Sequence, residues 1–276
     1  MTITTTWYER STAAHPDPGA AYDRLAVPAI FHPWAAFLVG AIGPRPGGRA
    51  LDVACGPGTL VRVLAGQLGE SGAVTGTDIN PSMLDAANAR AAVAGAPQDY
   101  HLSGAAPLEG IDDGAFDLIT CQQGFQFFPD RPAAAAEWYR VGRPGATLAV
   151  AFWSAIDHNP LFDALHHAVA TVLGPDRTGC FTEPCSLSPE EAVRAVEDAG
   201  FTGVRQYRAT LSVTFPGGTD DLMCLYRISS LAETVAALDP DEHLALEATI
   251  HERLAPYQEG TAVTLPTSTE ILLATR

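Results

Sequence analysis

Short apolar runs alternate along the chain with stretches of helical spacing. Residues 49–55, Arg-Ala-Leu-Asp-Val-Ala-Cys, form an apolar run closed by Gly56-Pro57-Gly58. From Thr59 to Leu68 the apolar residues Leu60, Val63, Leu64 and Leu68 then recur at helical spacing. Ala73 to Thr77 predicts a second strand ending on Asp78. Asn80-Pro81 supplies an N-cap residue and a first-turn proline for an alanine-rich helix reaching about Ala94. Tyr100 to Leu102 reads as a short third strand, and Phe116 to Cys121 as a fourth behind the turn Asp112-Asp113-Gly114. Asp130-Arg131-Pro132 opens the next helix, and Arg143-Pro144-Gly145 turns into a fifth strand, Ala146 to Trp153, whose residues are nearly all apolar. Strands alternating with helices at this spacing predict an α/β fold with a doubly wound parallel sheet.

After Trp153 the rhythm changes. Helical patterns at 160–173 and 188–199 precede a strand-like stretch, Val204 to Phe215, helical segments near 220–228 and 240–254 follow, and Thr264 to Thr275 closes the chain as a strand. The organisation expected is a helical, aromatic lead-in or lid over 1–48, a core over 49–153, a helical insertion or cap over 154–203, and strands and helices over 204–276 that complete the sheet.

With 47% hydrophobic residues in 276, a sizeable core is available. All sixteen basic side chains are arginine. The absence of lysine excludes Schiff-base and pyridoxal chemistry, a P-loop, and the Tyr-x-x-x-Lys pair of short-chain dehydrogenases. A net charge of −16 with scattered arginines argues against a nucleic-acid partner. The segment Met1 to Arg10 has neither a basic nor an apolar leader region, and no run reaches the ~20 apolar residues of a membrane span, so a cytoplasmic protein is expected. Cysteines 55, 121, 180, 185 and 224 lack a Cys-x-x-Cys pair and read as free thiols; Cys180 and Cys185 have the gap of a zinc half-site without a second half.

Leu51 to Thr59 is the most informative segment. A Gly-x-Gly turn between strand and helix lets a ligand approach the backbone, and Asp78, twenty-two residues past Gly56, has the spacing of a carboxylate that reaches a ribose diol. The third glycine of a dinucleotide fingerprint is replaced by Val61, and Asp52 adds an acid just before the turn. That acid disfavours a pyrophosphate and favours a cation, so the ligand combines a ribose with a positively charged part. The competing reading makes Asp52 and Asp78 solvated strand ends around a tight turn.

This segment resembles motif I of the class I S-adenosylmethionine-dependent methyltransferases, and Asp78-Ile79-Asn80-Pro81-Ser82-Met83 resembles their acidic second motif. Phe116 to Gln123, with Phe127-Phe128-Pro129-Asp130, resembles the fourth-strand motif, and Arg143 to Leu148 resembles the loop into strand five. The likeness covers about 49–153 and is greatest to the small-molecule branch related to ubiquinone and menaquinone methyltransferases. It implies a Rossmann-like, seven-stranded sheet and S-adenosyl-L-methionine as cofactor. It further implies that the backbone around Ala54, Cys55, Gly56 and Gly58 faces the methionine part, with Asp52 near its ammonium. Asp78 would hold the ribose, and Ile79 and Met83 would flank the adenine. Cys121 and Gln122, with Gln126 as a further candidate, would contact the methionine end, and Tyr22 resembles an aromatic lead-in residue that covers the cofactor. The acid that relatives carry after strand three is missing from Ser103-Gly104-Ala105-Ala106, so a backbone carbonyl near Gly104 and Ala105 stands in for it.

Methyl transfer needs chiefly alignment and exclusion of water. If a base assists, His158, five residues past Trp153, is the best-placed histidine, against a plain loop or capping role. His32 and His15 are weaker candidates, His166-His167 read as a surface pair, and His101 as strand-bound. A metal-dependent site would need an acid after strand four, where Cys121-Gln122-Gln123 stands instead. Phe125, Phe127 and Phe128, with Phe31 and Trp34, are candidates for an apolar substrate wall, although core packing is the default reading for each ring taken singly. The expected function is in-line methylation of a small, largely apolar or aromatic metabolite in an enclosed pocket, with the accepting atom and oligomeric state left open. The rivals are a cofactor-retaining, non-methylating cyclase or binding module and a nicotinamide-dependent oxidoreductase.

Overall fold

The computed structural model describes residues 22–24, 26–90, 93–228 and 231–276. Strands β1 (Arg49–Val53), β2 (Ala73–Asp78), β3 (Gln98–Leu102), β4 (Phe116–Gln122), β5 (Gly142–Trp153), β6 (Thr202–Phe215) and β8 (Ala262–Thr275) form a sheet of order β3-β2-β1-β4-β5-β8-β6. The two-residue β7 (Gln258–Glu259) pairs with β8. The first five strands pair in parallel, and β8 runs antiparallel to β5. The longer helices are α1 (His32–Ile42), α2 (Thr59–Leu68), α3 (Pro81–Ala89), α4 (Arg131–Val141), α5 (Pro160–Val172), α6 (Pro189–Asp198) and α7 (Pro240–Leu254). The doubly wound α/β fold read from the pattern is the fold observed.

Contacts divide the chain into two compact units. The larger holds Phe31–Ala155, Pro184–Ala209 and Ser268–Arg276; the smaller holds, among the described residues, those up to Ile30, Ile156–Glu183 and Thr210–Thr267. This division cuts the expected lead-in after Ile30, because α1 packs on α2 and β5, and cuts the expected insertion after Glu183, because α6 packs on α4.

In the larger unit both faces of the sheet are buried. Leu51, Val53, Leu148, Val150 and Phe152 pack with Trp138 of α4 and Val196 of α6 on one face; Ala50, Ala149 and Ala151 pack with Leu38 of α1 and Leu64 of α2 on the other. Covering both faces is what makes β5 read as a continuous apolar run. Helix starts follow the capping residues: Asn80 Oδ1 accepts from Ser82 N–H at 3.0 Å and Asp130 Oδ1 from Ala133 N–H at 2.9 Å. The helix after Pro81 stops at Ala89 rather than Ala94, since Arg90 turns extended at φ −78°, ψ 142°.

In the smaller unit α5 packs against α7, and the Asp163–Arg253 ion pair at 2.7 Å joins them. Asp239 and Glu242 form a capping box at the start of α7. Tyr226 is fully buried edge-on to Phe181 at 5.4 Å. The helical segments expected near 220–228 are a short α-helix, Thr219–Met223, followed by a 3-10 helix, Cys224–Ile228. No helix among the described residues is long and apolar enough to cross a membrane.

Candidate active site

The parallel register brings the carboxyl ends of β1, β2 and β4 together, with Asp52 opposite Gly76 and Thr120, and Val53 opposite Thr77. Beyond Val53 the chain makes a turn in which Ala54, Gly56 and Gly58 all adopt positive φ, at 57°, 53° and 73°. Cys55 N–H donates to the Thr77 carbonyl at 2.9 Å, and Gly56 N–H donates to Asp78 Oδ2 at 2.8 Å. Asp78 Oδ1 accepts a second N–H from Asn80 at 2.9 Å, so the carboxylate is anchored through both oxygens and each keeps a lone pair for another donor. Gly58 is glycine for a steric reason as well as its φ: a Cβ there would strike the Tyr100 hydroxyl. A Cβ at Gly56 would meet nothing among the described residues within 4 Å, which leaves room over the turn there.

Asp52 lies under this turn, 1% exposed. Thr120 Oγ1 donates to its Oδ1 at 2.8 Å. Burial pushes the Asp52 carboxyl up to about 7; the Thr120 hydrogen bond opposes that rise and the charge of Asp78 adds to it. A cation beside Asp52 would restore its ionised form, which suits an ammonium.

The adenine end also fits. Asp78 pairs with Leu102, and at these two strand ends Ile79 is 77% and Leu102 60% exposed, two apolar side chains free to flank a flat ring. Met83 is half-buried in the first turn of α3. The Gly104 carbonyl accepts from Ser103 Oγ at 3.0 Å, and a Cβ at Gly104 would meet nothing among the described residues within 4 Å. Ala105 is half-buried against the core.

The loop after β4 descends onto the glycine turn. A Cβ at Gly124 would stand 2.7 Å from Ala54 Cβ and 3.1 Å from Cys121 Sγ. Arg131 holds the loop from below by donating to the carbonyls of Phe125 and Gln126 at 3.3 and 2.7 Å. Gln122 Nε2 donates to the Phe31 carbonyl at 2.9 Å. The thiols of Cys55 and Cys121 are buried beside Asp52, which pushes both well above the ordinary thiol range and keeps them un-ionised.

Several candidates fall elsewhere. The ring wall does not form as one surface: Phe125 and Phe128 pack on Trp138 in the core at 4.8 and 6.1 Å, while Phe31 and Trp34 pack on Trp153, each at 6.4 Å. Phe127 is half-exposed. Tyr22 and His158 belong to the smaller unit. His158 Nε2 lies 3.7 Å from Asp157 Oδ1, and Asn159 immediately precedes α5. His32 is exposed, His101 stands on β3 beside Asp99 at 2.8 Å, and His166 and His167 lie on α5. His15 lies outside the described residues. Sequence reasoning missed Thr120, Tyr100, Leu102 and Gly124, which join the site through register and loop approach.

A Gly-x-Gly turn closed onto a strand-two acid, a buried carboxyl beneath it and exposed apolar strand ends define a class I S-adenosylmethionine-dependent methyltransferase. The chain belongs to the ubiE/COQ5 methyltransferase family, whose model matches residues 23–176. It is 32% identical over 191 residues to a ubiquinone/menaquinone biosynthesis C-methyltransferase UbiE of Cupriavidus necator, covering 65% of this chain and 78% of that one. It is 27% identical over 262 residues to the nocamycin O-methyltransferase of Saccharothrix syringae, covering 88% and 90%. Among solved structures, phosphoethanolamine N-methyltransferase 2 of Haemonchus contortus, in complex with S-adenosylhomocysteine, shares the fold at a TM-score of 0.59 and 16% identity, covering 98% of this chain and 60% of that one. The protein is an S-adenosyl-L-methionine-dependent methyltransferase.

Proposed function

We propose that this methyltransferase acts on a small, largely apolar or aromatic metabolite, in line and within an enclosed pocket. The observation that carries this reading is the half-buried ring of Phe31, backed by the buried Trp34 and Trp153, at the carboxyl end of β5, the side of an open α/β sheet on which ligands bind. The likeness to the nocamycin enzyme along most of both chains supports a metabolite acceptor.

When bound, S-adenosyl-L-methionine supplies a methyl group activated by its sulfonium. The chain's own part is to bind, align and keep water out. Asp78 takes the ribose hydroxyls on its remaining lone pairs, and Asp52 faces the ammonium. The main chain at Ala54, Cys55, Gly56 and Gly58, with that of Cys121 and Gln122, follows the methionine part. Ile79, Met83 and Leu102 flank the adenine, and the Gly104 carbonyl with Ala105 meets its amino edge.

Incubation with methyl-labelled S-adenosyl-L-methionine and a panel of small phenols, enols and amines tests the reading. Labelled product and S-adenosylhomocysteine are expected in equal amounts, and turnover without S-adenosylhomocysteine would overturn methyl transfer. Asp78→Ala should weaken S-adenosylhomocysteine binding by ~10-fold or more in isothermal titration.

A further inference from the structure

We propose that Arg62 and Tyr100 are positioning residues for the cofactor, which together hold the Pro57–Gly58 peptide of the glycine turn in the orientation that receives the methionine part. This deepens the proposed function and rests on its placing of the methionine part along that turn; it is independent of the acceptor.

Gly58 accepts either sign of φ, so the Pro57–Gly58 peptide lacks the steric lock that a side chain would impose. Reversing it would exchange an N–H for a carbonyl beside the methionine part, and with it the charge pattern that the cofactor meets. The peptide must therefore be held by bonds at both ends. Its N–H end is held within the turn, where Gly58 N–H donates to the Cys55 carbonyl at 3.0 Å. Its carbonyl end is held from α2, where Arg62 Nη1 donates to the Pro57 carbonyl at 2.8 Å. The Arg62 N–H donates to the Gly58 carbonyl at 3.1 Å, so the residue lies in the first turn of α2 and its side chain folds back over the helix start.

Tyr100 supplies the second anchor. Arg62 also hydrogen-bonds to its hydroxyl, so one guanidinium joins β3 to the turn. The ring reaches this place because two glycines make way for it. Gly76, its partner across β2 and β3, is buried, and a Cβ there would stand 2.9 Å from the Tyr100 ring. A Cβ at Gly58 would stand 2.9 Å from the edge of the same ring. Glycine inside a strand weakens it and marks a close approach. Core filling would need room on the sheet alone, whereas this ring is fitted both to β2 and to the cofactor turn, with its hydroxyl on the arginine that grips that turn.

Both residues act through the peptide and not on the cofactor itself. Losing either lowers the fraction of turns already in the receptive orientation, and the apparent dissociation constant rises by the same factor.

Isothermal titration with S-adenosylhomocysteine, together with amide NMR of glycine-labelled protein, tests this. Arg62→Met, which loses both bonds, should weaken binding ~10-fold, and Tyr100→Phe, which keeps the ring and loses one bond, ~3-fold. Arg62→Lys retains a donor for the Pro57 carbonyl and should recover part of the loss. Arg62→Met/Tyr100→Phe should bind no worse than Arg62→Met, because the two side chains act through one peptide. In the ligand-free protein the Gly58 amide signal should be sharp in wild type, broadened by exchange in Arg62→Met and Tyr100→Phe, and sharp again with S-adenosylhomocysteine bound. A purely structural loss would lower the thermal midpoint without exchange confined to the turn. Wild-type affinity in both single variants, additive losses in the double variant, or a Gly58 signal of equal width in wild type and variants would overturn the proposal. Weakened binding in Arg62→Met with none in Tyr100→Phe would also overturn it, by giving Arg62 a direct contact with the cofactor's carboxylate. If Arg62→Met does not fold, Tyr100→Phe and Arg62→Lys decide. Should Asp78→Ala leave S-adenosylhomocysteine binding unchanged, the placing of the cofactor fails; should Asp78→Ala weaken it while these variants do not, only the present inference fails.

Discussion

Asp52 is a carboxyl group that the fold keeps from water, and its proton is the variable through which pH should reach both stability and cofactor binding. Its folded pKa of about 7 lies above the ordinary carboxylate value, so the folded state holds a proton that the unfolded chain has already released. Stability from this group is complete below about pH 4 and is lost as pH rises toward about 7. Asp52→Asn carries no charge to desolvate and can still accept from Thr120. It should melt at a higher temperature than wild type at pH 8 and at a similar temperature near pH 4, as measured by thermal scans. Binding has the opposite sense, because an ammonium partner requires the ionised form. The S-adenosylhomocysteine Kd of wild type should rise by up to ~10-fold per pH unit below about pH 7, whereas Asp52→Asn binds weakly with a flat profile. A sloped profile in the variant would show that another group controls the titration.

The glycine turn and α2 act as one element, and two of their glycines separate function from stability. Gly58 has positive φ and no room for a Cβ against Tyr100, whereas Gly66, exposed within α2, has nothing among the described residues within 4 Å of its would-be Cβ. Gly66→Ala should stabilise the protein by about 0.5–1 kcal/mol through helix propensity and leave binding alone. Gly58→Ala should cost S-adenosylhomocysteine affinity ~10-fold or more, with partial recovery in the Gly58→Ala/Tyr100→Ala double variant, read by titration as a mutant cycle. The contrast also shows what sequence could reveal. Local chemistry was legible: the strand and helix order, the Asn80 and Asp130 caps and the positive-φ turn all depend on residues close in the chain. Thr120 reaches Asp52, and Tyr100 reaches Gly58, only through lateral strand register, which single-chain periodicity does not encode. The same blindness to lateral packing explains the ring wall, where Phe125 and Phe31 have similar composition and different sheet faces. It also explains the boundaries at Ile30 and Glu183, which depend on which helix α1 and α6 pack against.

At the scale of the whole molecule, a net charge of −16 and a cationic cofactor set salt to work in two directions. Like charges spread over the surface repel one another in the compact state, and added salt screens that repulsion. The same field attracts S-adenosyl-L-methionine, whose sulfonium and ammonium are both positive, and screening weakens that attraction. Raising NaCl from about 0.05 to about 0.5 M shortens the screening length from more than ~10 Å to less than ~8 Å, so the long-range part of both effects should fade together. The thermal midpoint of the ligand-free protein should therefore rise by a few degrees while the Kd for S-adenosyl-L-methionine rises several-fold. S-adenosylhomocysteine lacks the sulfonium charge and should lose less affinity over the same range, which separates general screening from damage to the site. Thermal scans and titrations at matched salt concentrations measure all three. If the two ligands weakened equally, the acidic surface would have no part in drawing the charged methyl donor to the site, and recognition would rest on Asp52, Asp78 and the glycine turn alone.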